Sequence, residues 1–270
     1  MALTTHQQLL DALTQGRVQY LWFRKASCFG TVRTWTSVWT IGGSPGGGSN
    51  PSPALEGQVP TKDTAGAFPI SNPSGGNTLY MFSFGIEATT RANCLMVYDR
   101  IWHVGGVGLN TTDAQAITGV TAPTRYSSGI GNLIAIEVTT NGGGTPAIMT
   151  ASYTNTADQS GRSATVALPA SIPGRRVCYL NLQAGDAGVK SIQSVSLSKA
   201  MGAGVANLFM LNSAALFPVS CIADQIVERD TLLQSTVLPI VQPDACLALL
   251  SLMNSDQTDN VSGKLTLVEG

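Results

Sequence analysis

Apolar and polar side chains alternate with a period of two along much of this chain. Between residues 147 and 154, Met149, Ala151 and Tyr153 face one way and Thr150, Ser152 and Thr154 the other, the signature of a half-buried strand. The polar run 157–161 supplies a turn, its Asp and Gly suited to a chain reversal, and residues 163–168 resume the alternation as the second arm of a hairpin. Pro169, Pro173 and Gly174 end it. Residues 177–182 and 192–197 are predicted as a further strand pair across the turn 183–188. Connections this short leave no room for crossover helices, so the sheet is antiparallel. Similar runs predict strands over 79–89, 94–104, 133–139, 205–211, 246–253 and 264–268. Strands follow strands without alternating helices, so the fold class is all-β, an antiparallel β-sandwich or jelly roll.

The start of the chain departs from this period. Leu9, Leu10 and Leu13 predict a short helix over 3–15, capped by Thr4 or Thr5 and stopped by Gly16. Residues 18–39 are β-prone and aromatic. Their rings either fill the core or anchor a subunit contact, and Trp22, Phe23, Trp35 and Trp39 are the candidate interface residues. In 41–76 Pro and Gly recur with no period. A structureless loop of that length is uncommon in a compact domain, so the segment reads as an extended arm that crosses its own sheet or a neighbouring subunit. The chain divides accordingly: 1–77 holds the helix, the aromatic segment and the arm, and 78–270 is the β-sandwich domain. Within 217–243 the pattern is irregular, and 224–233 reads as a helical turn or an extended strap.

Composition narrows the function. Charged residues make up 11% of the chain, against about 25% in an average soluble domain. Much of the surface is therefore expected to meet protein neighbours, since interface cores are depleted of charge. The net charge of −1 gives no electrostatic footprint for nucleic acid or an anionic membrane. No apolar run reaches the length of a membrane span, and the first residues lack a secretory pattern, which predicts synthesis in a cytoplasm. Five cysteines without a C-x-x-C pair and two histidines without ligand spacing predict no metal and no cofactor. Asp99, Arg100 and His103 invite a catalytic reading. On a regular strand Asp99 and His103 share a face but stand about 13 Å apart, and Arg100 points the other way. A structural role is expected for them, and the chain is expected not to be an enzyme.

Three motifs carry a resemblance: YDRIWH at 98–103, SYTNTADQSGR at 152–162 and LQAGDAGVKSIQSVS at 182–196. On these the chain resembles a family of tailed-bacteriophage virion structural proteins. Tyr98, Asp99, Arg100, Trp102, Tyr153, Asn155, Gly161, Arg162, Gly185, Asp186, Gly188 and Val189 match its motifs. Read as turn chemistry, Asn155 and Asp158 suit the ends of a hairpin turn, with Arg162 placed to pair with Asp158, while Gly185 and Gly188 free the backbone around Asp186. The resemblance implies a virion component, most plausibly a capsid decoration (cement) protein whose partners are the major capsid protein and itself, as a homotrimer. A tail or baseplate component and, from another class, a glycan-binding jelly-roll module are the alternatives.

Overall fold

The computed structural model describes residues 3, 5–28, 32–88, 93–212, 217–221, 227–230, 238–252 and 259–270. One helix, α1 (His6–Thr14), opens the chain. Its cap is Thr5, whose hydroxyl accepts from the Gln8 amide at 3.2 Å while the Gln8 side chain accepts from the Thr5 amide at 3.1 Å. The strands before residue 78 are β1 (Val18–Cys28), β2 (Trp35–Ser37), β3 (Gly43–Ser44) and β4 (Glu56–Gly57). Then come β5 (Leu79–Ala88), β6 (Asn93–Gly108), β7 (Gln115–Ala116), β8 (Thr118–Gly119), β9 (Asn132–Thr140) and β10 (Ala147–Asn155). Next are β11 (Arg162–Leu168), β12 (Val177–Tyr179), β13 (Val189–Leu197), β14 (Val205–Asn212) and β15 (Phe217–Cys221). The last are β16 (Val227–Asp230), β17 (Ile240–Val241), β18 (Leu247–Leu252) and β19 (Asp259–Glu269). Of the irregular stretch 224–233, residues 227–230 form β16 and the remainder lies outside the described residues.

These strands build an all-β, antiparallel sandwich. A six-stranded sheet runs β16-β5-β19-β1-β3, with β17 also on β5. A seven-stranded sheet runs β12-β9-β14-β6-β18-β2, with β15 also on β6, and a four-stranded sheet runs β11-β10-β13-β7. Only the short β4–β8 pair is parallel among the described ladders.

The seven-stranded sheet is the shared wall. Strands β9 and β14 are buried almost continuously, as strands covered on both faces must be. On one face Ile134, Ile136, Leu208 and Met210 pack against Met149, Ala151, Tyr153 and Val195 of the four-stranded sheet. On the other, Ala135, Phe209, Leu211 and Tyr98 lie with Trp39 and Ala67. Leu95, Val97, Leu247 and Leu249 join a further core with the six-stranded sheet. There Phe23 stacks on Phe84 (5.7 Å) and meets the edge of Phe68 (5.8 Å), pairings worth about 0.5–1.5 kcal/mol beyond burial.

One feature departs from the sequence expectation, and a second lies beyond what it addressed. Residues 177–182 and 192–197 do not pair: β12 joins β9, whereas β13 joins β10 in the other sheet. The connection between them carries the chain across the sandwich, turning at Gly185 (φ 89°) and Gly188 (φ 152°), conformations that suit glycine. Alternation sets which face of a strand is buried but not which strand lies beside it. The second feature is that β19 inserts between β1 and β5, so the two ends of the chain share one sheet.

The arm, 41–76, follows its own sandwich. Leu55 and Gln58 donate backbone hydrogen bonds to Gly105 and His103 on β6 (both 2.8 Å), and Phe68 donates to Leu247 at the start of β18 (2.9 Å). At Gly48 a Cβ would stand 2.3 Å from the Trp39 indole, so only glycine lets the backbone lie against that ring. Lys25 pins the arm's first turn. Its side chain points inward from β1, and Nζ donates to the carbonyls of Ile41 (3.0 Å), Pro45 (2.8 Å) and Gly46 (3.2 Å). Burial pulls its pKa below the ordinary lysine value.

Lys25→Met keeps the stem and removes all three donors. It is expected to cost about 1–3 kcal/mol and to speed proteolytic cleavage within 41–50, read by denaturant unfolding and limited proteolysis. Unchanged cleavage would show that the arm is held elsewhere.

Candidate functional site

The YDRIWH motif sits in the middle of β6 and builds a buried polar cluster. Opposite β14, Leu211 pairs with Arg100 but Met210 pairs with Trp102, so Ile101 is an extra residue and forms a β-bulge. The bulge shifts the alternation by one. Arg100 and His103 come to the same face, and the expectation that Asp99 shares a face with His103 fails for that reason.

Arg100 is fully buried, its guanidinium sandwiched between the Trp39 ring (4.8 Å) and the Phe209 ring (4.5 Å). Nη1 and Nη2 donate to Glu137 Oε2, both at 3.1 Å, and Nε donates to His103 Nδ1 at 3.1 Å. Nη1 also reaches the Tyr98 hydroxyl at 3.3 Å. Asp99, on the opposite face, takes a forked pair of hydrogen bonds from Arg125 Nε (3.0 Å) and Nη2 (2.9 Å), plus the Cys246 amide (2.9 Å). Arg125 Nη2 donates further to the carbonyls of Pro60 in the arm (2.9 Å) and Arg100 (3.2 Å). Sequence reading missed Glu137 and Arg125, which lie in strand and loop without a motif around them.

Burial sets the electrostatics of this cluster. Burial, helped by the neighbouring Arg100 charge, pulls the His103 pKa down to about 3, so the imidazole is neutral and accepts at Nδ1. Burial pushes the Tyr98 hydroxyl above its ordinary range. Tyr98, Asp99, Arg100, Trp102, Glu137 and His103 are all buried. The cluster joins β6 to β9, to the 121–131 loop, to the arm and to Cys246. Among the described residues, no three His, Cys, Asp or Glu side chains are grouped to hold a metal ion.

The second and third motifs meet at Asp186. Its carboxylate accepts from Arg162 Nε (2.9 Å) and Nη2 (3.1 Å), from Asn155 Nδ2 (2.7 Å) and from the Tyr153 hydroxyl. Arg162 first, then the Tyr153 hydroxyl, pull the Asp186 pKa down to about 2. Burial and that same bond push Tyr153 up to about 12. Asn155 Oδ1 accepts the amides of Ala157 and Gln159 (both 3.0 Å), closing the turn as its side-chain chemistry predicts. The expected Arg162–Asp158 pair is not formed. Asp158, at φ 61°, turns outward and pairs with Lys190 at 2.6 Å, while Arg162 reaches across to Asp186.

The candidate interface aromatics separate. Phe23 and Trp39 are core residues, 3% and 2% exposed, and so cannot form a contact surface. Successive residues of β1 point to opposite faces, which buries Phe23 and leaves Trp22 70% and Tyr20 59% exposed. Trp35 is half-buried on β2. Cys28, Cys94, Cys178 and Cys246 form no disulfide among the described residues, and the Cys221 side chain lies outside them.

No protein-family model and no curated protein matches this chain. Among solved structures, the infectious bursal disease virus VP2 subviral particle aligns at 7% identity over 93% of this chain and 80% of that one, with a TM-score of 0.19. T=1 particles derived from the same virus align at 7% identity over 93% and 77%, with a TM-score of 0.20. Overlap this slight carries no argument.

Two outcomes test the buried cluster. Glu137→Gln leaves Arg100 buried without its counter-charge and is expected to cost about 3–5 kcal/mol in denaturant unfolding. His103 sets a pH dependence. Its folded pKa is about 3 against 6.5 ordinarily, so below 6.5 the unfolded chain takes up a proton that the native state refuses. Stability is then full above that value and falls as the pH drops towards 3, by up to about 1.4 kcal/mol per pH unit. His103→Gln keeps an acceptor for Arg100 and is expected to remove this slope between about pH 6.5 and 5. A slope equal to that of the parent would assign it to another group.

Proposed function

We propose that this chain is a structural subunit of a virus particle, in a tailed bacteriophage a capsid decoration protein that binds the major capsid protein as a homotrimer. The observation that carries the reading is the outer face of the four-stranded sheet. Its cross-strand rows set Thr165 beside Thr150 and Ser196, and Ser152 beside Ser194, with Ile148 exposed at the end of β10. No charged side chain interrupts these rows. The charges the chain does have are partly withdrawn from the surface, since Lys25, Asp99, Arg100, Arg125 and Glu137 are buried. A chain with 11% charged residues that also internalises some of them presents an outside suited to protein neighbours. Closed symmetry covers such a face without open-ended growth. The family resemblance of the three motifs supports the virion context, and the buried clusters built by those motifs suit a part whose work is to hold shape.

Sedimentation of the isolated chain at micromolar concentration is expected to show a trimer. Ser152→Lys, which places a charge at the centre of the uncharged face, is expected to weaken it by at least about tenfold. A monomer for the parent chain, insensitive to salt, overturns the oligomer. Pelleting with capsids assembled from the major capsid protein alone tests the decoration role, and failure to co-pellet overturns it.

A further inference from the structure

The outer face of the six-stranded sheet differs from the uncharged face in every respect. Helix α1 covers one end of it, packing Leu9 and Ala12 on Val268 with Val18 and Phe82 alongside. Beyond the helix the face is open at Tyr20 and Trp22. One cross-strand rung runs Glu228, Gly85, Lys264, Trp22 over β16, β5, β19 and β1. Gly85 contributes no side chain to this rung. Glu228 and Lys264 therefore stand two strand spacings apart, about 10 Å between Cα atoms, and their side chains lean towards each other across Gly85 beside a hollow.

That hollow has a volume of about 290 Å³ and is walled by Trp22, Glu87, Glu228, Ser262 and Lys264 over a floor that includes Gly85 and Gly263. Its polar groups are held in place. Ser83 Oγ donates to Glu228 Oε1 at 2.6 Å, Ser262 Oγ lies 3.5 Å from Glu87 Oε2, and Lys264 Nζ stands 3.8 Å from Glu228. Lys264 Nζ also lies 5.8 Å from the centres of both the Tyr20 and Trp22 rings.

We propose that this hollow binds one neutral pyranose residue of a glycan, stacked on Trp22. The chemistry narrows the occupant step by step. A volume at the small end of ligand sites admits one ring and excludes a peptide segment. Among the lining residues two carboxylates against one ammonium disfavour an anionic ligand, and Arg24, beside Ser262 on the next rung, stands outside the lining. A ligand cation would be repelled by the Lys264 ammonium, which stands 5.8 Å from both ring centres, while most of the Trp22 ring remains exposed. A protein contact would bury three charged groups, whereas interface centres exclude charge. A neutral sugar ring meets every constraint. Its C–H face lies on the exposed indole, its hydroxyls donate to Glu87 and Glu228, and they accept from Lys264 and Ser262. This inference is independent of the virion reading, because it uses a different sheet and different residues.

The test titrates the full chain with the methyl glycosides of glucose, galactose, mannose and N-acetylglucosamine, followed by tryptophan fluorescence and by saturation-transfer NMR. At least one is expected to bind with a Kd of about 1 mM, and Trp22→Ala to weaken it by at least about tenfold. Gly85→Val is the second variant. The atoms nearest a Cβ there are those of the Glu228 side chain at 3.6–3.8 Å, an ordinary contact, so the strand keeps its fold while the floor of the hollow is raised. It is expected to abolish binding with an unchanged far-ultraviolet spectrum. No binding of any of the four at about 50 mM overturns the proposal, as does binding that both variants leave intact. Tighter binding of methyl glucuronide than of the neutral glycosides overturns the assignment to a neutral ring. Dissociation of an oligomer by Trp22→Ala, without any glycoside binding, reassigns the face to contact between copies of the chain.

Discussion

The forked pairing of Arg125 with Asp99 and the aromatic-sandwiched pairing of Arg100 with Glu137 are the contacts on which the rest of the fold depends. They leave β6 from adjacent residues and opposite faces. One reaches β9 in its own sheet; the other reaches a loop, the arm through Pro60 and the approach to β18 through Cys246. Burying four charges has a large desolvation cost, and only good geometry offsets it. The return is specificity. A slip of β6 by one residue would turn Arg100 towards the apolar face that holds Ile101 and Trp102, and would leave each charge without its partner. The bulge at Ile101 belongs to the same constraint, because without it His103 would not face the Arg100 Nε.

The six-stranded sheet is organised differently. Its central partners, β1 and β19, come from opposite ends of the chain, with Leu21 opposite Leu265 and Val18 opposite Val268. No local turn sets that register; a row of inward apolar residues does. Bringing these ends together closes a very long loop, whose entropic cost grows only slowly with length. The closure is nonetheless the most non-local event in the fold, and such pairings form slowly.

Period-two alternation located the longer strands, though β12 ends at 179, β13 begins at 189, β19 begins at 259 and the two-residue strands were not expected, and the apolar spacing at Leu9 and Leu13 made α1 legible. The same rule also separates Trp22 from Phe23, because neighbours on β1 must face opposite ways; grouping them as one surface overlooked it. What alternation does not encode is adjacency. The pairing of Arg162 with Asp186, and not with Asp158 four residues away, depends on where the 183–188 connection brings Asp186 after the chain has changed sheets. Glu137 and Arg125 were illegible for the same reason: each is an ordinary charged residue until β9 and the 121–131 loop are laid beside β6. The bulge left no mark at all, since Ile101 continues an apolar strand as well as it interrupts one.

The distribution of charge links these observations. A lightly charged chain that commits Lys25, Asp99, Arg100, Arg125 and Glu137 to its interior has few left for its outside, and the structure does not spread them evenly. The four-stranded sheet carries Ser, Thr and Ile on its outer rows. The six-stranded sheet gathers Glu87, Glu228 and Lys264 around an exposed indole. An uncharged pleated face is a poor partner for water and a good one for another such face, whereas a hollow with fixed donors and acceptors beside an aromatic ring favours a small polar ligand with an apolar side. The two outer sheets pack on different stretches of the seven-stranded sheet, the four-stranded one on Ile134, Ile136, Leu208 and Met210 and the six-stranded one on Leu95, Val97, Leu247 and Leu249, while the buried ion pairs hold that sheet in register. The two outer faces thus belong to different sheets, and each presents its own chemistry to a neighbour.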